Sequence, residues 1–269
     1  MHLSKIIIKS KPSTISDYPP QVYKLLVHTE PRHFWFAAKN KIIKKTISKF
    51  FPDPVRERFL EVGCGTGFVL SYLEKLGFDV TGVDMHMEGL RIAQSRVIGA
   101  TLICADITSD FVGKPFPALG LFDVLEHLKD DRHFLRKCLR HLAPHGLVFI
   151  TVPADMCLWS IVDEVSGHKR RYTKKSLEKL LVSCGLHIET LFYFNTLLYL
   201  PQLFFRNRLH TRHTLTKRDT IKILSDSFQS TTLINLFGTI AFILEFIVSR
   251  FFSFPFGASI IVAARKANH

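Results

Sequence analysis

The sequence predicts an α/β fold of the doubly wound kind, with a mostly parallel sheet and helices on both faces. Three observations predict it. Short apolar strands alternate with stretches of helical period, the first of these strands runs straight into a glycine loop that opens a helix, and acidic residues stand where the next strands end. A chain of 269 residues, 47% hydrophobic and 22% charged, is able to bury a core of that size.

The elements follow in order. Residues 1–32 mix Ser, Pro and Lys with little periodicity and are expected to wrap the surface. HFWFAAKNKIIKKTISKFF (33–51) repeats apolar residues at three and four, a helix that Pro52 and Pro54 stop. RFLEV (58–62) reads as a buried strand, and GFVLSYLEKL (67–76) as an amphipathic helix closed by Gly77. FDVTGVD (78–84) is a strand, EGLRIAQSRV (88–97) a helix, and TLICA (101–105) and ALGLFDV (118–124) are strands. DDRHFLRKCLRHL (130–142) is a helix with Phe134, Leu135, Cys138 and Leu142 on one side. Pro144 and Gly146 turn the chain into the strand LVFITV (147–152). TKKSLEKLLVSC (173–184) is a helix with Thr173 as N-cap and Gly185 past its end, and HIETLFYF (187–194) and GASIIVAARK (257–266) are strands.

Net charge is +13 and the pI near 9.6, a balance that favours anionic partners. The basic residues are dispersed in short groups and no nucleic-acid motif accompanies them, so solubility or attraction to a membrane surface is expected rather than nucleic acid. The five cysteines, Cys64, Cys104, Cys138, Cys157 and Cys184, form no C-x-x-C pair, which fits free thiols in a reducing compartment. The opening MHLSKIIIKSKPS has too short an apolar run for a secretory signal, and a cytoplasmic protein is expected.

The loop Glu61-Val-Gly63-Cys64-Gly65-Thr-Gly67 lets the backbone turn sharply and approach a ligand closely. Its spacing is G-x-G-x-G, not the dinucleotide G-x-G-x-x-G. Asp84 closes the second strand where a carboxylate accepts both ribose hydroxyls, and Asp106 closes the third where it accepts from an adenine amino group, with Ile107 against the ring. Either aspartate alone reads equally well as a turn or cap residue; the set converges on one crevice.

EVGCGTG (61–67), TGVD (81–84), AD (105–106), FDVLEHL (122–128) and the closing strand resemble the class I S-adenosylmethionine-dependent methyltransferases. The resemblance covers most of residues 33–195 and the C-terminal end. It implies a Rossmann-like seven-stranded sheet with an antiparallel last strand, 187–194 pairing with 257–266, and a domain made of 33–195 and 257–269. It also implies S-adenosyl-L-methionine as cofactor, with Gly63 and Gly65 at its methionine part, Asp84 at the ribose, Asp106 and Ile107 at the adenine, and Asp123 beneath the sulfonium. Glu61, Cys64, Gly67 and Met85 complete the implied cofactor set. Pro117 stands where the family usually carries an aspartate, which affects only that strand's edge.

Methyl transfer from a sulfonium is an in-line displacement, and an oxygen acceptor needs a base near neutral pH, for which histidine is suited. His127 follows the fourth strand; it is also a plausible helix-capping residue. His168 lies in WSIVDEVSGHKRRYT (159–173), a loop dense in polar and aromatic groups that otherwise reads as a solvated charge run. A bacterial branch with an HFWF-like opening (33–36) and a GHxRRY loop (167–172) is similar, and its members act on glycan or lipid-linked acceptors; ubiquinone-pathway O-methyltransferases are similar through DVLEH. The resemblance implies acceptor contacts at Trp35, Trp159, Asp163 and Tyr172, with Arg170 and Arg171 on an anionic group. No metal is expected: Glu126-His127 and Asp130-Asp131 could ligate a divalent ion, but carboxylates near a helix start are more often caps.

Residues 196–256 form an apolar helical insertion. TLLYLPQLFF (196–205) is too short to cross a membrane, and 231–256 nearly reaches that length but carries Asn235, Gly238, Thr239 and Glu245. Both ends return to one sheet edge, so the insertion is expected to lie on a membrane surface, cover the site or form a homodimer face. Arg206, Arg208, Arg212, Lys217 and Arg218 favour anionic headgroups. Two rival functions remain at this stage: a nicotinamide oxidoreductase, whose glycine spacing is missing, and a membrane-associated scaffold of this fold without turnover.

Overall fold

A computed structural model describes residues 4–11, 20–110, 112–207, 217–228 and 231–267. In chain order the elements are β1 (Lys5–Ile8), α1 (Pro20–Thr29), α2 (Phe34–Ser48), β2 (Arg58–Val62), α3 (Phe68–Lys75), β3 (Asp79–Asp84), α4 (Met87–Arg96), β4 (Thr101–Cys104), β5 (Phe116–Phe122), α5 (Asp131–Cys138) and β6 (Leu142–Pro153). Then come α6 (Ile161–Val165), α7 (Lys174–Ser183), β7 (Leu186–Phe194), α8 (Tyr199–Asn207), α9 (Lys217–Phe228), α10 (Thr232–Val248) and β8 (Ser259–Lys266).

The strands form one sheet in the order β1-β4-β3-β2-β5-β6-β8-β7. Neighbours from β1 to β6 run parallel, and β8 lies antiparallel between β6 and β7. The sheet is thus eight-stranded, not seven-stranded. The additional strand is β1, inside the segment expected only to wrap the surface. It pairs from Lys5 opposite Thr101 to Ile8 opposite Cys104, and its side chains stay largely exposed. An edge strand held by main-chain bonds needs no alternating apolar pattern, so composition does not reveal it.

Alternate residues of the central strands enter two separate cores, the pattern of a sheet buried on both faces. Phe59, Val80, Leu102, Ala118 and Phe149 pack under α2, α3 and α4 with Ile43, Leu70 and Leu90. Leu60, Leu119, Val148 and Ile150 pack under α5 and α7 with Leu135, Cys138, Leu177 and Leu181. The chain leaves β2 toward one edge and β5 toward the other, so the carboxyl ends of these neighbours open into a crevice.

The polar residues that interrupt the 231–256 stretch mostly face the protein. Asn235 Oδ1 accepts from the Phe34 backbone N–H at 3.1 Å. A Cβ on Gly238 would lie 2.5 Å from the Phe34 ring, so only glycine lets α10 close on α2 here. The buried Glu245 carboxylate accepts from the backbone N–H groups of Thr196 at 2.7 Å and Leu197 at 3.1 Å. Among the described residues no helix is long and apolar enough to cross a membrane. α9, not expected from sequence, packs Leu224 against Val22, Ile161 and Val165. Arg208 and Arg212 lie outside the described residues.

His33 caps α2: its ring nitrogen accepts from the Trp35 N–H at 3.2 Å. Burial lowers this imidazole from 6.5 to about 4, so the folded chain binds the proton more weakly than the unfolded chain. Stability should therefore fall as pH drops from 6.5 toward 4. Thermal melts across that range should show the slope, and His33→Asn, which keeps a capping oxygen, should flatten it; an unchanged slope would assign the acid lability to other groups.

Candidate active site

A cavity of about 570 Å³ opens at the carboxyl ends of β2, β3, β4 and β5, roofed by Tyr23 and Leu26 of α1 and by Phe36 and Lys39 of α2. Glu61, Gly63, Cys64, Gly65, Asp84, Met85, Asp106, Ile107, Asp123 and His127 all line it. Gly67 does not. It is the N-cap of α3 with φ +71°, and a Cβ there would lie 2.7 Å from that of Ala93, so this glycine serves helix packing. Gly63 (φ +73°) is demanded by the wall itself, where a Cβ would meet Val124 at 2.7 Å.

Asp84 fixes the glycine loop to the end of β3. Its carboxylate accepts from the Gly65 N–H and from the His86 N–H, each at 2.8 Å. Asp106 accepts from the Thr108 N–H at 2.9 Å and hydroxyl at 2.7 Å, a side-chain turn at the end of β4. Asp123 has a left-handed φ of +57°. Its carboxylate accepts from Lys39 Nζ at 2.7 Å and the Thr151 hydroxyl at 2.8 Å. Burial alone would raise its pKa, but Lys39 and Thr151 hold it below the usual carboxylate range.

Glu30 also lines the cavity. It accepts from the Thr66 hydroxyl at 2.8 Å and from Arg96, while burial pushes its carboxyl upward. Glu61 is 2% exposed, one of its carboxylate oxygens has no hydrogen-bond partner, and burial raises it well above its ordinary value. The wall therefore holds five carboxylic side chains and one lysine, Lys39, in a chain whose net charge is +13. An acidic pocket in a basic protein favours a cationic ligand.

The loop residues fall into two groups. His168 Nδ1 lies 2.9 Å from Asp163 Oδ1, and its ring meets that of His127 edge-on at 4.8 Å between centroids. The buried Asp163 also accepts from Arg171 Nε at 2.8 Å, from Arg206 of α8 at 2.7 Å and from the Ser160 N–H at 3.0 Å. Burial opposes this charge, but His168, Arg171 and Arg206 hold the carboxyl far below its usual range.

Arg170, Arg171 and Tyr172, assigned to an acceptor from sequence, bond the protein itself. Arg170 donates to Asp131 at 2.9 Å and to the Leu128 and Lys129 carbonyls. Arg171 also donates to the Ala154 carbonyl, and the Tyr172 hydroxyl to Asp131 at 2.7 Å. Trp35 stacks on Phe194 at 5.8 Å within the core beneath α10, away from the cavity wall. Trp159 is half-buried, its indole N–H 3.3 Å from Glu164.

Lys39, Glu30 and Arg96 were not singled out from the sequence, and Arg206, expected at anionic headgroups, is instead paired with Asp163. Lys39 alone left a local trace, a lysine amid the apolar residues of a helix. Glu126, read from sequence as a cap, is buried with both carboxylate oxygens lacking a hydrogen-bond partner. One ligand atom each from Glu126, His127 and His168 lie within 4.8 Å of one another, so the structure adds His168 to the Glu126-His127 pair that the sequence offered as possible ligands.

The family described as a methyltransferase domain matches residues 34–191, more than half of the chain. A ubiquinone biosynthesis O-methyltransferase of Caulobacter sp. (strain K31) is 33% identical over 99 residues, 35% of this chain and 39% of that protein. The match thus spans about two fifths of the relative's own length. Among solved structures, a phosphoethanolamine N-methyltransferase of Haemonchus contortus is similar with a TM-score of 0.58 at 17% identity, over 94% of this chain and 59% of that one. A magnesium protoporphyrin IX methyltransferase of Synechocystis PCC 6803 is similar with a TM-score of 0.53 at 12% identity, over 86% and 84%. The chain belongs to the class I S-adenosylmethionine-dependent methyltransferases. Its cavity fits that cofactor: the glycine wall bars any Cβ at Gly63, the lining is acidic against a sulfonium and an ammonium, and Glu61 has a free buried oxygen.

Because Glu61 is raised, its ionisation penalises the folded state above its ordinary value of 4.5, and the penalty vanishes below it. Glu61→Gln should melt a few degrees above the wild type at neutral pH without cofactor, the gap closing as pH falls toward 4.5. A variant that melts lower at neutral pH would show Glu61 to be charged and satisfied.

Proposed function

We propose that this chain methylates a hydroxyl oxygen on a lipid-linked, isoprenoid or glycan acceptor, at the cytoplasmic face of a membrane. The observation that carries the reading is the Asp163–His168 pair set against His127 at the cavity wall. The similarity to a ubiquinone biosynthesis O-methyltransferase supports oxygen as the atom methylated.

S-adenosylmethionine, when bound, supplies an electrophilic methyl group. Gly63, Cys64, Gly65 and Glu61 hold its amino-acid part, Asp84 and Met85 the ribose side, Asp106 and Ile107 the adenine, and Asp123 the sulfonium side. Asp163 accepts from His168 Nδ1, which fixes the tautomer and leaves Nε2 basic, to receive the acceptor's proton by way of His127 on the cavity wall. Arg171 and Arg206 keep Asp163 ionised, so it stabilises the imidazolium that forms. His127 bridges from His168 to the cavity, and Leu128 and Phe134 give the cavity an apolar side suited to an isoprenoid.

A second reading is favoured by the Glu126, His127 and His168 cluster, which has the donor set for a divalent cation. Such an ion would lower the pKa of the acceptor hydroxyl directly.

With a hydroxylated isoprenoid as acceptor, His168→Ala should lower kcat by roughly 10²–10⁴-fold, with calorimetric binding of S-adenosylmethionine nearly unchanged. Unchanged turnover would remove His168 from the mechanism, and cofactor binding without any product would favour the scaffold reading. Chelation should leave turnover intact if the histidine acts alone; loss on chelation and recovery with a divalent metal would establish the second reading.

A further inference from the structure

A second cleft lies on the outer side of α2, away from the cofactor cavity. It measures about 600 Å³ and is walled by Phe34, Ile42, Phe242, Ile243, Phe246 and Ile247. Lys41, Lys44, Lys45 and Lys49 also line it, all exposed, and none of its lining residues is acidic. The first three recur at the three- and four-residue spacing of one helical face.

Beside the cleft, α10 turns an apolar surface outward. Leu233 is 64% exposed and Phe237 67%, with Ile240, Ile243, Leu244 and Ile247 between 44% and 50%. Phe251 and Phe252 just beyond the helix are 76% and 70% exposed. A water-soluble surface seldom carries so continuous an apolar stripe. The only charged side chain of α10 is Glu245, and it is buried against the Thr196 and Leu197 backbone. Basic side chains flank the stripe: Lys45 Nζ sits 4.3 Å over the Phe246 ring, and the Arg250 guanidinium lies 5.7 Å from it.

We infer that the α2–α10 face docks on a leaflet of anionic phospholipid, with α10 lying flat in the interface and the α2 lysines on the headgroups. This builds on the membrane-side reading above and names the surface that performs it. An interfacial helix has this composition, an apolar face bordered by cations. Charge decides the occupant. A second copy of the chain meeting this face about a two-fold axis would set lysine row against lysine row. An anionic leaflet neutralises the row and takes up the exposed phenylalanines. α2 also supplies Phe36 and Lys39 to the cofactor cavity, so one helix carries both the docking face and part of the catalytic wall.

Co-sedimentation of the full chain with vesicles of phosphatidylcholine, alone or mixed with phosphatidylglycerol, tests this without cofactor or acceptor. Its failure is therefore separate from failure of methyl transfer. Binding should require phosphatidylglycerol and weaken with salt. The Lys41→Gln/Lys44→Gln/Lys49→Gln variant should bind on the order of a hundredfold more weakly. Phe237→Asp should abolish binding even at low salt, while melting and S-adenosylhomocysteine binding stay at wild-type values. Absence of binding to mixed vesicles, equal binding to both vesicle types, or binding indifferent to both variants overturns the proposal. So does a dimer that Phe237→Asp splits in the absence of any vesicle binding.

Discussion

The part-buried ion pair between Lys39 and Asp123 is the interaction on which the site rests. Five carboxylic side chains crowd the cavity wall, and Lys39 reaches them from a helix that precedes the glycine loop in sequence. Without that ammonium, Asp123 would be left near the buried Glu126, and a left-handed backbone would be held for a carboxylate that has lost its ion-pair partner. Such a pair adds little net stability over an apolar one, but losing either partner strands the other. Its effect is positional: it pins α2 to the point where the sheet divides, and α10 in turn closes on α2 through Gly238 and Phe34.

Asp163 organises the other side. Ser160, His168 and Arg171 come from the loop after β6, but Arg206 comes from α8, so the segment between β7 and β8 is bonded into that loop. α9 extends the connection, because Leu224 packs with Val22 of α1 and Ile161 of α6. The roof over the cofactor cavity and the loop bearing His168 therefore rest on a common apolar cluster.

The parallel strands were legible in the sequence because both faces of each are buried, leaving unbroken apolar runs such as RFLEV and LVFITV. That Asp84 and Asp106 line one cavity was legible because the fold fixes them at strand ends, where spacing along the chain translates directly into position. β1 and α9 were not, since one is an edge strand and the other a largely polar helix whose single Leu224 is fully buried. Arg170 and Arg171 illustrate a different limit. A pair of arginines in a polar loop reads as an anion site, yet their partners, Asp131 and Asp163, are set by tertiary folding and absorb both guanidinium groups. Lys39 went unnoticed and Arg206 was expected at lipid headgroups for the same reason, as their partners lie 84 and 43 residues away.

The place of β8 in the sheet has a consequence for how the chain acquires its shape. β6 and β7 share no ladder; each pairs with β8, which the ribosome delivers only after α8, α9 and α10. Until then β6 presents an open edge and β7 has no partner, so the half of the sheet from β1 to β6 is able to assemble while the other waits. Completion is a long-range closure, slow by its nature. A nascent chain of this kind spends its final stage with the apolar α10 already made and its anchoring strand still to come, a window in which a nearby bilayer or a chaperone would meet it first.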